Sequence, residues 1–480
     1  MIVAAPVSPR PIAVVVLAAG LGTRMRSERA KVLHELAGRP LVHYPLLALR
    51  PLHPERVVLV VGHQADLVQA AAEQVPTDRR EIVLQAEQRG TGHAVRCAMA
   101  ALACFDGDVI VLYGDVPLIR TETLQALVAA HREHDAALTL LTLHFQDPTG
   151  YGRIVRDAEG RVQRIVEQRD ATPAERAITE INPGFYCIRS DVLGPLLERL
   201  QPNNAQGELY LTDVVGMAAA AGRRVASVAV ADPDEVAGIN TRAELACLEA
   251  RMRDDLTQRF MAAGVTFEDP ATAYLGTEVE IGPDTVIGPN VVLRGRTRIG
   301  AGCRLDGTNF LTDTALGDRV HVLFGTVSDG AVVGADAVLG PYARLRPGTR
   351  LGERVHIGNF VETKKAVLGA GTKANHLTYL GDCVIGPDTN VGAGTITCNY
   401  DGFKKSETRI GARVQIGSDT QLVAPVTVGD DAYVAAGTTV TKDVPPGALA
   451  VSRVPVRFIE GWTERKRAHE GQRGGKKGGG

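Results

Sequence analysis

The chain has 480 residues, 45% of them hydrophobic, with 53 Lys plus Arg against 55 Asp plus Glu and a formal net charge of -2. That length exceeds one ordinary core and implies two or three domains. The near-neutral balance argues against binding nucleic acid through bulk electrostatics, no stretch is long enough for stable membrane association by a spanning helix, and seven scattered cysteines without a Cys-x-x-Cys pair indicate neither zinc nor disulfides, so a reducing cytoplasm is the simplest compartment.

The first apolar run, residues 12–19, follows Arg10 and has the outline of a secretion signal. It reads instead as a buried strand because it feeds directly into a glycine-rich loop. Strand-like runs at 13–17, Arg56–Val61, 82–84, 109–112 and 137–143 alternate with helical patterns, which predicts an α/β domain with a mostly parallel sheet over residues 1–240. The loop after the first strand reads LAAGLGTRM at 17–25. Two glycines let the backbone approach a ligand and turn successive N–H groups toward a polyphosphate. A Gly-x-Gly alone equally describes a structural turn, but Arg24 and Lys31 follow closely enough to neutralise phosphate oxygens, which favours a nucleoside triphosphate. Residues 241–263, charged and free of Gly and Pro, read as one helix joining two domains.

From residue 281 to 440 the chain counts in sixes. An aliphatic residue recurs at Ile281, Ile287, Leu293, Ile299 and Leu305, and again at Val333, Leu339, Leu345, Leu351 and Ile357. It returns at Ile385 and Val391, and from Ile410 to Val440. A strand buries alternate residues and a helix every third or fourth, so a sixfold beat belongs to neither. It predicts a coil of short flat faces, a parallel β-helix over residues 264–460, with glycine where a Cβ would clash at a corner. Polar groups break the beat at 344–348, 358–365, 375–379 and 392–402, and residues 395–408 form an insertion that leaves the coil. The basic, Gly-rich tail over 461–480 is predicted to be disordered.

The hexads resemble the left-handed hexapeptide-repeat proteins, and handedness rests on that resemblance. The motifs QAEQRGTGHA at 85–94, YGDVPL at 113–118, GYGRI at 150–154, IVE at 165–167, INPG at 181–184, NNAQGELYLTD at 203–213 and GIN at 238–240 follow LAAGLGTRM in order. With NHLTYLG and TCNYDG in the second half, the series resembles the bacterial bifunctional N-acetylglucosamine-1-phosphate uridyltransferase/glucosamine-1-phosphate acetyltransferases from about residue 12 to 460.

The resemblance implies acetyl transfer from acetyl-CoA to glucosamine 1-phosphate. Uridyl transfer from UTP to the resulting N-acetylglucosamine 1-phosphate would then give UDP-N-acetylglucosamine for cell-envelope precursors. It further implies Mg²⁺, a cytoplasmic homotrimer and sites between chains. Leu17, Ala18, Ala19, Gly20, Gln85, Gln88, Gly90 and Thr91 would hold uracil and ribose, with Arg24 and Lys31 on the phosphates as catalytic cations. Tyr113, Gly114 and Asp115 would close on the nucleotide, Asp115 and Asn240 would bind Mg²⁺, and Gly152, Glu167 and Asn182 would hold the sugar. In the second half His376 would be the general base, Arg346, Lys364, Tyr379 and Asn390 would bind the sugar phosphate, and Ala393, Asn399, Tyr400, Lys405, Ser418, Ala436 and Arg453 would border acetyl-CoA. Two positions depart from the family: Ala30 stands where proline is common and Leu21 where lysine often lies between the glycines. The rival readings are a single-function sugar-1-phosphate nucleotidyltransferase whose β-helix only oligomerises, and a trimeric scaffold with a degenerate nucleotide pocket.

Overall fold

In the computed structural model, which describes residues 10–474, the chain divides into two units, Met1–Leu256 and Thr257–Gly480. The first is built on Ile12–Ala18 (β1), Arg56–Val61 (β2), Arg80–Leu84 (β3) and Asp108–Tyr113 (β4), which run parallel in the order β3-β2-β1-β4. Their near-continuous apolar sequence follows from burial on both faces. Val15, Leu17, Val58, Val60, Val109 and Val111 enter one core. Val14, Val16, Val57, Leu59, Ile110 and Leu112 enter the other.

Beyond β4 the sheet turns antiparallel through Tyr186–Arg189, Leu138–His144, Glu180–Asn182, Gly152–Arg156 and Val162–Val166, with Val225–Ala229 parallel to Leu138–His144. The result is a mixed ten-stranded sheet. Asp108, with a fully buried side chain at the start of β4, meets Arg10 Nε at 2.9 Å and Arg132 Nε at 2.9 Å. Burial would raise its pKa, but bonds from His131 and Arg132 and the charges of His131 and Arg10 together hold it below the usual carboxylate value.

The expected connecting helix is observed at Arg242–Ala262, although its early turns belong to the first unit: Leu248 packs with Met25, Leu36, Leu41, Tyr44 and Ile239, and the Ala37 N–H donates to Glu249 Oε2 at 2.8 Å.

The second unit is a parallel β-helix. Ile287 pairs in register with Leu305 and Leu305 with Val322, so a coil returns after 18 or 17 residues with three short faces, except where the inserted loop lengthens the return from Val391 to Ile416 to 25. One buried column runs Ile287, Leu305, Val322, Leu339, Ile357, Ala374, Val391, Ile416 and Val434. Ile281, in the first coil, is only half-buried. A Cβ on Gly282 would lie 2.7 Å from the backbone of the next coil, so the corner glycine is required by close approach. The left-handed φ is carried two residues later by Asp or Asn in many corners, as at Asp284, Asp336, Asp388 and Asp419. Buried threonines satisfy corner carbonyls, as Thr285 Oγ1 does for Gly300 O at 2.9 Å and Thr389 Oγ1 for Gly411 O at 2.8 Å.

The tail expected to be disordered carries instead a helix, Trp462–Gly474, exposed over residues 462–470, in which Lys466 Nζ lies 5.0 Å from the Trp462 ring centroid. Residues 475–480 of that expectation lie outside the described residues.

Candidate active sites

A cleft of about 370 Å³ opens at the carboxyl ends of β1 and β4. Here Leu17 pairs with Tyr113 and the Gly114 N–H donates to Leu17 O at 2.9 Å. The strand order departs in opposite directions on either side of β1, the topological switch point at which α/β sheets bind ligands. Lining it are Leu17, Ala18, Ala19, Gly20, Lys31, Gln85, Gln88, Gly90, Thr91, Tyr113, Asp115 and Asn240, all anticipated, together with Val32, Ala94 and Glu208, which were not. Glu208 lies inside the quoted NNAQGELYLTD motif, but a lone glutamate in a polar loop carries no signal of its own. Gly114 is buried between two lining residues, where a Cβ would meet Ala18 Cβ and Val32 Cγ1 at 3.3 Å.

The loop glycines do different work. No atom lies within 4 Å of where a Gly20 Cβ would be, which leaves that edge open to a ligand. Gly22, with φ +62°, approaches Lys31 so closely that a Cβ would lie 2.7 Å from Lys31 Cβ. The Lys31 ammonium forms an ion pair with Asp115 Oδ2 and donates to Asn240 Oδ1 at 3.1 Å. The Ile239 N–H, donating to Asp115 O at 3.0 Å, ties the two oxygen-bearing segments together. Arg24 is exposed on the turn Thr23–Met25 and lines an adjoining cleft of about 570 Å³ that shares Tyr113, Asp115 and Asn240.

None of the three expected sugar contacts lines either cleft, although their neighbours Tyr151 and Pro183 line the second. Glu167 lines a third, accepts from Thr212 Oγ1 at 3.1 Å and has its pKa raised by burial. Gly152 is packed so that a Cβ would meet Ile165 Cγ2 at 2.8 Å and Glu167 Oε1 at 3.5 Å, which places these two together. Asn182 is buried, donates to the Tyr186 hydroxyl at 2.7 Å and accepts from the Gly184 N–H at 3.1 Å. Tyr113 connects the regions, since burial and the carboxylates of Glu167 and Asp115 push its phenol pKa up.

In the second unit Lys364 and Tyr379 stand on adjacent strands, Glu362–Leu368 and Tyr379–Ile385. Arg346 Nη1 donates to Glu362 Oε1 at 2.7 Å. Lys405, from the loop after the coil, approaches Lys364, and together with Arg346 it lowers the Lys364 pKa. A cation cluster of this kind is chemically suited to a phosphate dianion.

His376 ends the strand Lys373–His376, one corner before Tyr379, and its imidazole is exposed and without a hydrogen bond among the described residues. Asn390 lies on the next coil, paired with Lys373. The loop leaves the coil after Cys398 and closes with Ser406 N–H on Asn399 O at 2.9 Å and a bridge between Tyr400 and Lys405. Asn399 anchors it through Asp382. Ala393, Ser418 and Ala436 occupy one corner of three successive coils: Asp419 N–H donates to Ala393 O at 2.7 Å and Gly437 N–H to Ser418 O at 2.8 Å. Arg453 Nη2 reaches Ala436 O at 3.4 Å.

A switch-point nucleotide cleft with clustered cation and oxygen groups, followed by a hexad β-helix bearing a histidine and a cationic patch, defines a nucleotidyltransferase joined to a hexapeptide-repeat transferase. The family comparisons agree on both halves. Residues 14–207 match the MobA-like NTP transferase domain, and residues 330–365 and 407–442 match the bacterial transferase hexapeptide repeats. The chain is 52% identical over 468 residues to the bifunctional protein GlmU of Anaeromyxobacter sp., covering 97% of this chain and 95% of that relative. It is 50% identical to that of Pelobacter propionicus (94% and 98% covered) and 51% identical to that of Trichlorobacter lovleyi (95% and 98% covered). The chain belongs to the GlmU family of bifunctional proteins and has its left-handed β-helix architecture. It is a uridyltransferase and acetyltransferase in one polypeptide, which removes the single-function and scaffold readings.

Proposed function

We propose that the second unit acetylates glucosamine 1-phosphate from acetyl-CoA and that the first couples the resulting N-acetylglucosamine 1-phosphate to UTP, yielding UDP-N-acetylglucosamine and pyrophosphate for cell-envelope synthesis. The observation that carries the uridyl half is the meeting of the Asp115 carboxylate and the Asn240 amide oxygen at one cation, the Lys31 ammonium, in the switch-point cleft. One carboxylate plus one amide fits Mg²⁺, which keeps water and phosphate oxygens as its other ligands. Among the described residues no group of three or more His, Cys, Asp or Glu offers an all-protein metal cage. Asp115 and Asn240 would hold the ion, which when bound supplies charge neutralisation on the triphosphate.

The chain's own groups do the rest. The sugar phosphate oxygen attacks the α-phosphorus of UTP and pyrophosphate leaves; that nucleophile is already ionised, so no base is needed. Lys31 and Arg24 draw off phosphate charge, and the loop backbone at Gly20 positions the nucleotide. In the second unit the substrate amine must shed a proton as it attacks the thioester carbonyl. His376 accepts that proton while Arg346, Lys364, Tyr379 and Asn390 hold the phosphorylated sugar and coenzyme A leaves as its thiolate.

We infer a homotrimer with the acetyl sites between chains. Supporting this are the extruded loop, on which Phe403 is 96% exposed, and an exposed ladder of Phe324, Tyr342 and Phe360 with ring centroids 5.5 and 5.4 Å apart. A cytoplasmic location is supported by cysteines that are all unpaired. No helix among the described residues is long and apolar enough to cross a membrane. Incubating the purified protein with glucosamine 1-phosphate, acetyl-CoA, UTP and Mg²⁺ and weighing the products tests the assignment. The expected products are UDP-N-acetylglucosamine, pyrophosphate and free coenzyme A, and failure to form UDP-N-acetylglucosamine from this mixture overturns it.

A further inference from the structure

Gln85 is 4% exposed and lines the nucleotide cleft. Its Nε2 lies 3.2 Å from Gly90 O and 3.2 Å from His93 Nδ1. An amide nitrogen can only donate, so Nδ1 accepts and the imidazole proton resides on Nε2. That nitrogen faces Cys97 Sγ at 3.7 Å, one turn further along the helix Thr91–Ala98. Burial, with the nearby Arg96 and Arg89 charges, outweighs the opposing Glu87 backbone carbonyl and carboxylate and holds the His93 pKa below its ordinary value, which favours the neutral ring. Both protons of the Gln85 amide are spent inside the protein. Its Oε1 has no partner among the described residues.

We propose that His93 is a positioning residue for base selection: it locks the Gln85 amide with its oxygen toward the base, and so favours a nucleoside triphosphate whose ring presents an N–H there. This rests on reading Gln85 as a uracil contact. Uracil carries N3–H between two carbonyls, whereas cytosine presents an N3 lone pair beside an amino group. A fixed amide oxygen bonds the first and repels the second, and a rotated amide reverses the preference. Gly90 O already accepts the Ala94 N–H at 3.2 Å, so His93 supplies the lock that has no competing donor.

The test compares the parental enzyme with His93→Phe and His93→Asn, using UTP and CTP as alternative substrates and acetyl transfer as the check on folding. For His93→Phe the ratio of kcat/KM for UTP over CTP should fall by about tenfold or more, through a higher KM for UTP, with kcat at saturation within about threefold of parental. In His93→Asn the side-chain oxygen can take the place of Nδ1, and the ratio should recover. A parental ratio in a folded His93→Phe variant overturns the proposal, as does a His93→Asn variant as indiscriminate as His93→Phe. Should His93→Phe not fold, the ¹⁵N spectrum of the His93 ring decides: protonation at Nε2 is expected, and protonation at Nδ1 overturns the lock. If the parental enzyme itself makes no UDP-sugar from UTP, the uridyl assignment has failed instead.

Discussion

Asp115 shows how one side chain can be separated from the rest of the molecule by experiment. It ends in a cleft of the first unit, 13% exposed, where its carboxylate meets Lys31, while every proposed acetyl-transfer residue lies at 346 or beyond. Asp115→Asn keeps the shape and removes the charge, so uridyl transfer should fall by at least about a hundredfold, with acetyl transfer at the parental rate, both measured on the same folded sample. His376→Ala should do the reverse. Acetyl transfer should drop by roughly two to four orders of magnitude, the usual contribution of a positioned proton acceptor, and uridyl transfer from added N-acetylglucosamine 1-phosphate should persist. The glycines and cations at 20–31 were legible in advance, because a phosphate site needs them in a short stretch, whereas Asp115 was recognisable only through the motif series. Glu208 was not legible, and Glu167 and Asn182 were recognisable only through the motif series. The Ala30 departure acquires a physical meaning only in three dimensions: its N–H donates to Gln64 Oε1 at 2.8 Å, a bond that proline cannot make.

Elements explain why some patterns were readable and others were silent. The hexad period announced the β-helix because each buried column takes one aliphatic residue per coil. The beat lapsed between Leu305 and Val333 because the coil joining Ile299 to Leu316 is one residue shorter than that joining Ile287 to Leu305, which shifts the phase without emptying the column. Ser328, Thr363 and Thr397 replace aliphatic residues in the column that contains Leu293 and Leu311, and Thr349 Oγ1 meets Thr363 Oγ1 at 3.0 Å, so the polar groups are satisfied inside. Leu339 is fully buried in such a column. Leu339→Ala should destabilise the second unit by about 2–5 kcal/mol, visible as a lower thermal midpoint for acetyl transfer with the midpoint for uridyl transfer unmoved. In the first unit the loop glycine adjoining the 3-10 turn Thr23–Met25 is constrained twice, by φ +62° and by Lys31 at its back. Gly22→Ala should therefore displace Lys31, raise the KM for UTP and lower uridyl kcat together, and leave acetyl transfer unchanged. A variant with parental UTP kinetics would show that Lys31 does not depend on that approach.

For the molecule as a whole, the question is where the first activity ends along the chain. A helix free of Gly and Pro from 241 to 263 reads as a simple connector, and sequence alone gives no reason to assign its two ends differently. The compact units divide instead after Leu256, inside the helix. Its early turns brace the switch-point cleft: Glu244 Oε2 accepts the Asn240 N–H at 2.6 Å, Arg242 Nε donates to Met25 O at 3.2 Å, Glu249 holds the Ala37 N–H and Leu248 fills the small core beneath the loop. A fragment of residues 1–241 retains Asn240 but loses all four supports. It leaves the oxygen facing Lys31 on a chain end and exposes apolar surface around Met25, Leu36 and Leu41; the loss of Leu248 alone is worth about 2–5 kcal/mol. A fragment of residues 1–256 keeps every one of them. Assayed with UTP, N-acetylglucosamine 1-phosphate and Mg²⁺, the longer fragment should form UDP-N-acetylglucosamine at close to the full-length rate, and the shorter one should be unstable and strongly impaired. Equal activity of the two would mean that the early turns of the helix are dispensable and that the catalytic unit closes at Asn240 without them.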